Sequence, residues 1–157
     1  MSEPEEAEEG PAMSEPDVAV HDAIAAANIA VLTKATKTLP PFDGNLIRVP
    51  AMDPEENTPG LAVFVYGSGG SLDAPFIGGA SSHKIEFVNV MVRSEHFDFA
   101  GGQTLAKAVR SALHYQPLSG YYSCTVADAQ PTYLGRDERN RHMWSLSVET
   151  RRVVANA

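Results

Sequence analysis

Gln130-Pro131-Thr132-Tyr133-Leu134-Gly135-Arg136-Asp137-Glu138-Arg139-Asn140-Arg141, running into His142-Met143-Trp144-Ser145-Leu146-Ser147-Val148, is the stretch that decides the fold. From His142 to Arg152 the apolar Trp144, Leu146 and Val148 alternate with Ser145, Ser147 and Glu149, the period of two that a half-buried strand requires. A charged turn, Gly135 to Arg141, precedes this strand. Upstream, Tyr122, Cys124 and Val126 alternate with Ser123 and Thr125 in the same way. The chain therefore ends in two consecutive strands, connected through an extended segment that begins at Pro131 and the charged turn.

Working outward from there, the turn Gln116 to Gly120 is preceded by a helix. Asp98 is placed to cap it, and Leu105, Ala108, Val109, Ala112 and Leu113 form one stripe through about His114. Lys84 to Arg93 reads as a strand with Ile85 and Phe87 on one face and Val88, Val90 and Val92 on the other. Either both faces are covered or a bulge shifts the alternation. Gly67 to Ser82, with Gly67, Gly69, Gly70, Gly78 and Gly79, reads as a long flexible loop. Leu61 to Tyr66 is apolar throughout, as in a strand covered on both faces; a loop from Asp53 to Gly60 leads into it, and Asn45 to Val49 forms a short extended segment. Nearer the N-terminus, the spacing of Val20, Ile24, Ala27 and Val31 predicts a helix from Val18 to about Lys34, capped by Ser14 or Asp17. Leu39-Pro40-Pro41 ends it, because proline lacks an amide donor and disfavours helix in the residue before it. This order predicts an α+β fold: a mostly antiparallel mixed sheet of about four to five strands with two helices packed on it.

The net charge of −8 is unevenly placed. Residues 1–17 carry Glu3, Glu5, Glu6, Glu8, Glu9, Glu15 and Asp17 with no Lys or Arg; removing those seven from the 20 acids leaves 13 against 12 basic residues. The expected organisation is an acidic, disordered segment over 1–17 and a single, nearly neutral domain over 18–157. Met1-Ser2-Glu3-Pro4 recurs as Met13-Ser14-Glu15-Pro16, which leaves the start open between Met1 and Met13. A neutral body offers no footprint for sequence-specific nucleic-acid binding, which needs clustered uncompensated cations. Arg136, Arg139, Arg141, Arg151 and Arg152 are interleaved with Asp137, Glu138 and Glu149 and read as a salt-bridged surface. No apolar run approaches the length of a membrane span, and no secretory signal opens the chain.

Catalytic and metal chemistry find little support. Cys124, the only cysteine, excludes an internal disulfide and a multi-cysteine zinc site and fits a reducing compartment. Paired with His114, His96 or His83 it would make a nucleophile and base, but its place on the buried face of a strand favours core packing. His21, His83, His96, His114 and His142 lack the helical spacing of a metal pair. Glu55-Glu56 and Asp137-Glu138 fall in predicted loops, where charge is simply solvated. Gly67-Ser68-Gly69-Gly70-Ser71 lacks the lysine and the following helix of a phosphate-binding loop. No catalytic, cofactor-binding or metal-binding residue is assigned.

The proline-containing lead-in, Gly-Arg-Asp-Glu turn and aromatic alternating strand from Gln130 to Val148 resemble the C-terminal part of tail terminator and minor capsid (head-tail joining) proteins of long-tailed bacteriophages. The N-terminal helix, the strand Ile85 to Arg93 and the helix after it fall in the same order as in that family, so the layout agrees over 18–152. The acidic segment and the glycine-rich loop depart from the pattern. The resemblance implies a structural virion protein of the tail or neck, not an enzyme, assembled in the host cytoplasm and needing no cofactor. It implies a homo-oligomeric ring, six-fold in related proteins, that caps the tail tube and joins it to the head connector. The partners would be further copies of itself, the major tail tube protein and the head completion or connector protein. A ring needs a head-to-tail interface between two unlike surfaces. The expected contact residues are Arg136, Asp137, Glu138, Arg139 and Arg141 in the turn, with Gly69 and Gly70 in the glycine-rich loop. Two other readings stay open: a different connector or neck subunit, and a small cytosolic enzyme or ligand-binding domain. The second would need polar groups converging on a pocket.

Overall fold

The computed structural model describes residues 15–37, 42–48, 60–70, 74–75 and 81–155. In chain order the elements are α1 (Pro16–Ala26), β1 (Leu46–Arg48), β2 (Ala62–Gly70), β3 (Ala74–Pro75), β4 (Ser81–His96), α2 (Phe99–Leu113), β5 (Ser123–Val126), β6 (Thr132–Arg136) and β7 (Arg141–Ala155). β4 and β7 form an antiparallel spine from Ser81↔Ala155 to His96↔Arg141. The other edge of β4 takes β2 and then β3, and the other edge of β7 takes β6 and then β5. Seven strands thus fill five positions in the order β1-β2-β4-β7-β5. Only the outermost pair, β1 with β2, is parallel, so the sheet is mixed and mostly antiparallel, as expected.

The alternation in β7 carries the core. Trp144, Leu146 and Val148 lie opposite Val92, Val90 and Val88, and Val63 and Val65 of β2 extend the same face. All of them are buried. The helices close this face: α2 contributes Leu105, Ala106, Val109 and Leu113, and α1 contributes Val20 and Ile24. Each buried Val, Leu or Ile side chain among these stabilises the fold by about 1.5–3 kcal/mol. A smaller cluster of Ala35, Ile47, Ala62 and Phe64, with Phe42 and Met91 packed on it, covers part of the opposite face. Neither explanation expected for the two-faced pattern of β4 holds: Val88, Val90 and Val92 are buried, but Ile85 is only half-buried and Phe87 is 36% exposed, with no bulge between them. The pairing of β4 with β7 runs unbroken from Ser81 to Arg93, and the register shifts only between Arg93 and His96.

Several local expectations change. Asp17 does not cap α1: Glu15 is the N-cap without a side-chain bond, Pro16 supplies the first turn, and Asp17 instead pairs with Arg48 at 3.1 Å, while Ser14 lies outside the described residues. The helix stops at Ala26 instead of about Lys34, and Asn28 follows in the left-handed region at φ 56°. The reason is long-range pairing. The Ala35 amide donates to the Leu46 carbonyl (2.9 Å) and the Leu46 amide to the Thr33 carbonyl (3.0 Å), so this segment straps the edge of β1 and Val31 is left 55% exposed. Buried His21 donates from Nε2 to the same Leu46 carbonyl (2.9 Å), and burial lowers its pKa.

The expected loop from Gly67 to Ser82 is largely strand, since β2 continues to Gly70 and β4 begins at Ser81. Glycine permits this: a Cβ on Gly70 would lie 2.3 Å from the Ile85 carbonyl oxygen. Tyr122 falls outside β5 and is 59% exposed, stacked on His83. Thr132 to Arg136, expected only as an extended lead-in, forms a strand of its own. Residues 1–14, 38–41, 49–59, 71–73, 76–80 and 156–157 lie outside the described residues, and with them most of the acidic segment and most of the loop expected over 53–60. α1 begins two residues ahead of the expected domain start at 18.

Candidate assembly surface

The hairpin of β6 and β7 is held in one shape from inside. Gly135, at φ 100°, adopts a conformation open chiefly to glycine and marks the register shift after Tyr133. Asp137 then organises the turn. Its Oδ1 accepts the amides of Arg139 (2.9 Å) and Arg141 (3.0 Å), while Oδ2 accepts Nε of Arg141 (2.8 Å). The Asp137 amide donates to the Arg141 carbonyl at 3.0 Å, closing the loop. Burial pushes the Asp137 carboxyl pKa up, but the hydrogen bonds from Arg141 and Arg139 and the Arg141 charge outweigh it and hold the pKa below its ordinary value.

The end of β4 grips this turn. His96 Nδ1 donates to the Arg139 carbonyl (2.6 Å), the Phe97 amide to the Asn140 carbonyl (2.8 Å), and the His142 amide to the Ser94 hydroxyl (2.9 Å). Behind the turn Phe99, Tyr133 and His142 cluster on Trp144, with Phe99 and Tyr133 each 5.4 Å from the Trp144 ring and the Tyr133 hydroxyl 2.7 Å from His142 Nδ1. α2 can approach because Gly102 has no side chain: a Cβ there would lie 2.4 Å from Trp144.

The five residues expected at the turn therefore divide. Asp137 and the buried Arg141 are committed to the turn, whereas Arg136, Glu138 and Arg139 are exposed. Arg136 and Glu138 make no ion pair among the described residues. Gly69 and Gly70 sit far from the turn, at the exposed end of β2 on the opposite side of the sheet. Phe97, 73% exposed beside Phe99, was not singled out by sequence reading; only Asp98 between them carried a local signal, and its Oδ1 does accept the Gly101 amide (3.0 Å). The basic cluster is also split. Arg151 pairs with Glu149 as a surface pair, but Arg152 turns inward to Glu86 at 2.9 Å.

Replacing Asp137 with asparagine should cost about 1–2 kcal/mol, since it weakens three bonds to a partly exposed carboxylate. A carboxyl whose pKa is lowered on folding adds stability above its unfolded pKa, near 4, and loses it as the pH falls through the folded value. Denaturation of both proteins across pH 2–7 should therefore show the gap narrowing below about pH 4. A gap independent of pH would mean that the carboxylate charge does not hold the turn.

Cys124 is buried in the core, and burial pushes its thiol pKa up to about 11. The neighbouring His114 is engaged, its Nδ1 accepting the Val126 amide at 3.0 Å. Among the described residues no three His, Cys, Asp or Glu side chains group as metal ligands, and no helix is long and apolar enough to cross a membrane.

No curated protein sequence matches this chain. Among solved structures, a chain from the "Virion of native gene transfer agent (GTA) particle" is similar with a TM-score of 0.51 at 16% identity, over 90% of this chain and 95% of that one. The likeness extends to the fold. The family profile described as bacteriophage tail terminator protein matches residues 24–154, which include β1 to β6, α2 and all but the last residue of β7. The chain belongs to the bacteriophage tail terminator protein family.

Proposed function

We propose that this chain is the subunit of a ring that ends the phage tail tube and joins it to the head connector. Family membership over 24–154 makes it a structural protein of the virion tail, and that match carries the reading. The ring would hold six copies, as in related proteins, with the major tail tube protein on one side and the head completion or connector protein on the other. Residues 1–17 are read as an acidic solubilising segment ahead of a domain over 18–157.

Within the ring, exposed Arg136, Glu138 and Arg139 meet the neighbouring copy, Asp137 and Arg141 hold the turn that presents them, and Gly69 and Gly70 belong to the opposite contact. Charges so placed fix partner and register more than they add affinity. Light scattering and negative-stain imaging of the purified chain, alone and with tail tubes, test the reading. Rings, or caps on tube ends, are expected; monomers that never associate with tubes or connectors would overturn it. Changing both Arg136 and Arg139 to Glu should leave a folded monomer and abolish ring formation. Rings formed as well as by the wild type would reject the role of these two charges.

A further inference from the structure

Sheet edges expose unpaired amides and carbonyls, and most edges in this fold are shut. β1 is strapped by Thr33 to Ala35 through the Leu46 bonds. β5 is shut by the end of α2: the Tyr115 amide donates to the Cys124 carbonyl (2.9 Å) and the Val126 amide to His114 Nδ1 (3.0 Å). Two stretches differ. β6 has no partner on its outer side among the described residues. Odd-numbered residues of β7 bond towards this side, as the Ser147 and Arg151 carbonyls show by accepting the Ala127 and Tyr122 amides. Ser145 therefore bonds Thr132, and Tyr133, opposite Trp144, turns its own amide and carbonyl outward. The second stretch is Tyr66 to Gly70: β1 pairs as far as Val65, and among the described residues nothing pairs with this side of β2 beyond it.

These two edges are diagonal to each other. β6 lies along the 142–145 part of β7, level with β1, whereas the end of β2 lies level with β5 on the other side of the sheet. They are unlike surfaces facing opposite ways, the requirement for a heterologous contact that closes into a ring. Gly67 points to the same use. Its backbone is outside the left-handed region, and a Cβ there would meet nothing within 4 Å, so nothing described within the chain requires glycine. A glycine inside a strand weakens it and commonly marks close approach by another backbone. The charges agree as well. Glu15 lines a cavity of about 380 Å³ with Gly67, Gly69 and Gly70. The far edge carries exposed Arg136 and Arg139.

Resting on the ring reading above, we propose that subunits join by strand addition: the outer edge of β6 in one copy pairs with Tyr66 to Gly70 of the next. Glu15, beside Gly67, faces the neighbour's Arg136 and Arg139. The occupant of each open edge is a second copy of this chain.

The test uses the full chain and complementary variants. Gly67→Val, and Ser68→Lys as a second form of the same block, spoil the β2 edge; Leu134→Lys spoils the β6 edge by placing a charge on it. Each variant should remain folded, with a cooperative melt like that of the wild type, and should run as a monomer. Gly67→Val or Ser68→Lys mixed with Leu134→Lys should then give heterodimers of twice the monomer mass, because each mixture keeps one good pair of edges. Rings formed normally by folded Gly67→Val or Ser68→Lys would overturn the strand pairing while leaving the ring intact. Monomers in both mixtures would overturn it too. A wild type that forms no ring, alone or on tail tubes, is the separate outcome that defeats the ring reading itself.

Discussion

Replacing Trp144 with alanine is expected to remove about 3–5 kcal/mol of folding stability, the range for deleting a large aromatic side chain from a packed core. Trp144 is buried at the point where three parts of the protein meet. It lies opposite Val92 in the spine and opposite Tyr133 in the hairpin, and Gly102 of α2 packs directly on it. Truncation leaves a cavity that none of these can fill without moving the others, and Phe99, Tyr133 and His142 lose the ring they cluster on. For a domain of this size the loss corresponds to a fall in Tm of roughly 10–20 °C. Calorimetry measures it, and because the sequence holds one tryptophan, the fluorescence of the wild type independently reports the burial of that site. A cost below about 1 kcal/mol would show that the cluster is not packed as described. The same variant bears on assembly, because the hairpin that presents Arg136 and Arg139 is seated on this ring.

How far the sequence could be read depended on whether an element is governed by its own residues. β7 and α2 are governed in that way: the alternation of Trp144, Leu146 and Val148 and the Asp98 cap with its apolar stripe are local patterns, and both elements form where expected. The end of α1 is governed from elsewhere. Apolar spacing continues to Val31, but Thr33 to Ala35 are taken by the edge of β1, a strand only three residues long that leaves little pattern in the sequence. Glycine misled in the same sense. Gly67 to Gly70 signal a loop by composition, yet β4 holds them in the ladder through Gly67↔Val88 and Gly70↔Glu86. In the candidate surface the position of the charged turn was legible, but the division of its residues was not. Whether Asp137 points inward to amides or outward to a neighbour depends on the conformation of Gly135 and on the grip of Ser94 and His96 from β4, more than 40 residues away.

Arg152 shows the same limit and supports the second large prediction. Sequence reading placed it among surface charges; in the fold it shares the helix-covered face with Trp144, Leu146 and Val148, two positions beyond Thr150. There it meets Glu86 from 66 residues upstream in a two-point contact, Nε to Oε1 at 2.9 Å and Nη2 to Oε2 at 3.0 Å, and lies over the Tyr121 ring at 5.2 Å. Changing Arg152 to Met should cost about 2–4 kcal/mol, most of it the penalty of leaving the largely buried Glu86 carboxylate without its partner. Joining that change to Glu86→Leu should return stability to within about 1 kcal/mol of the wild type, since well-packed apolar residues replace a buried pair with little loss. Urea denaturation of the two single variants and the double variant measures the coupling. The cost should also persist in high salt, because a buried pair is poorly screened. The partly exposed Arg151–Glu149 pair is the contrast, and its removal should change stability little. Equal, small costs for Arg151→Ala and Arg152→Met would show that Arg152 is a surface residue after all. A large cost confined to Arg152 would tie β4 to β7 beside Gly67 to Gly70, the edge on which the neighbouring copy is expected to pair.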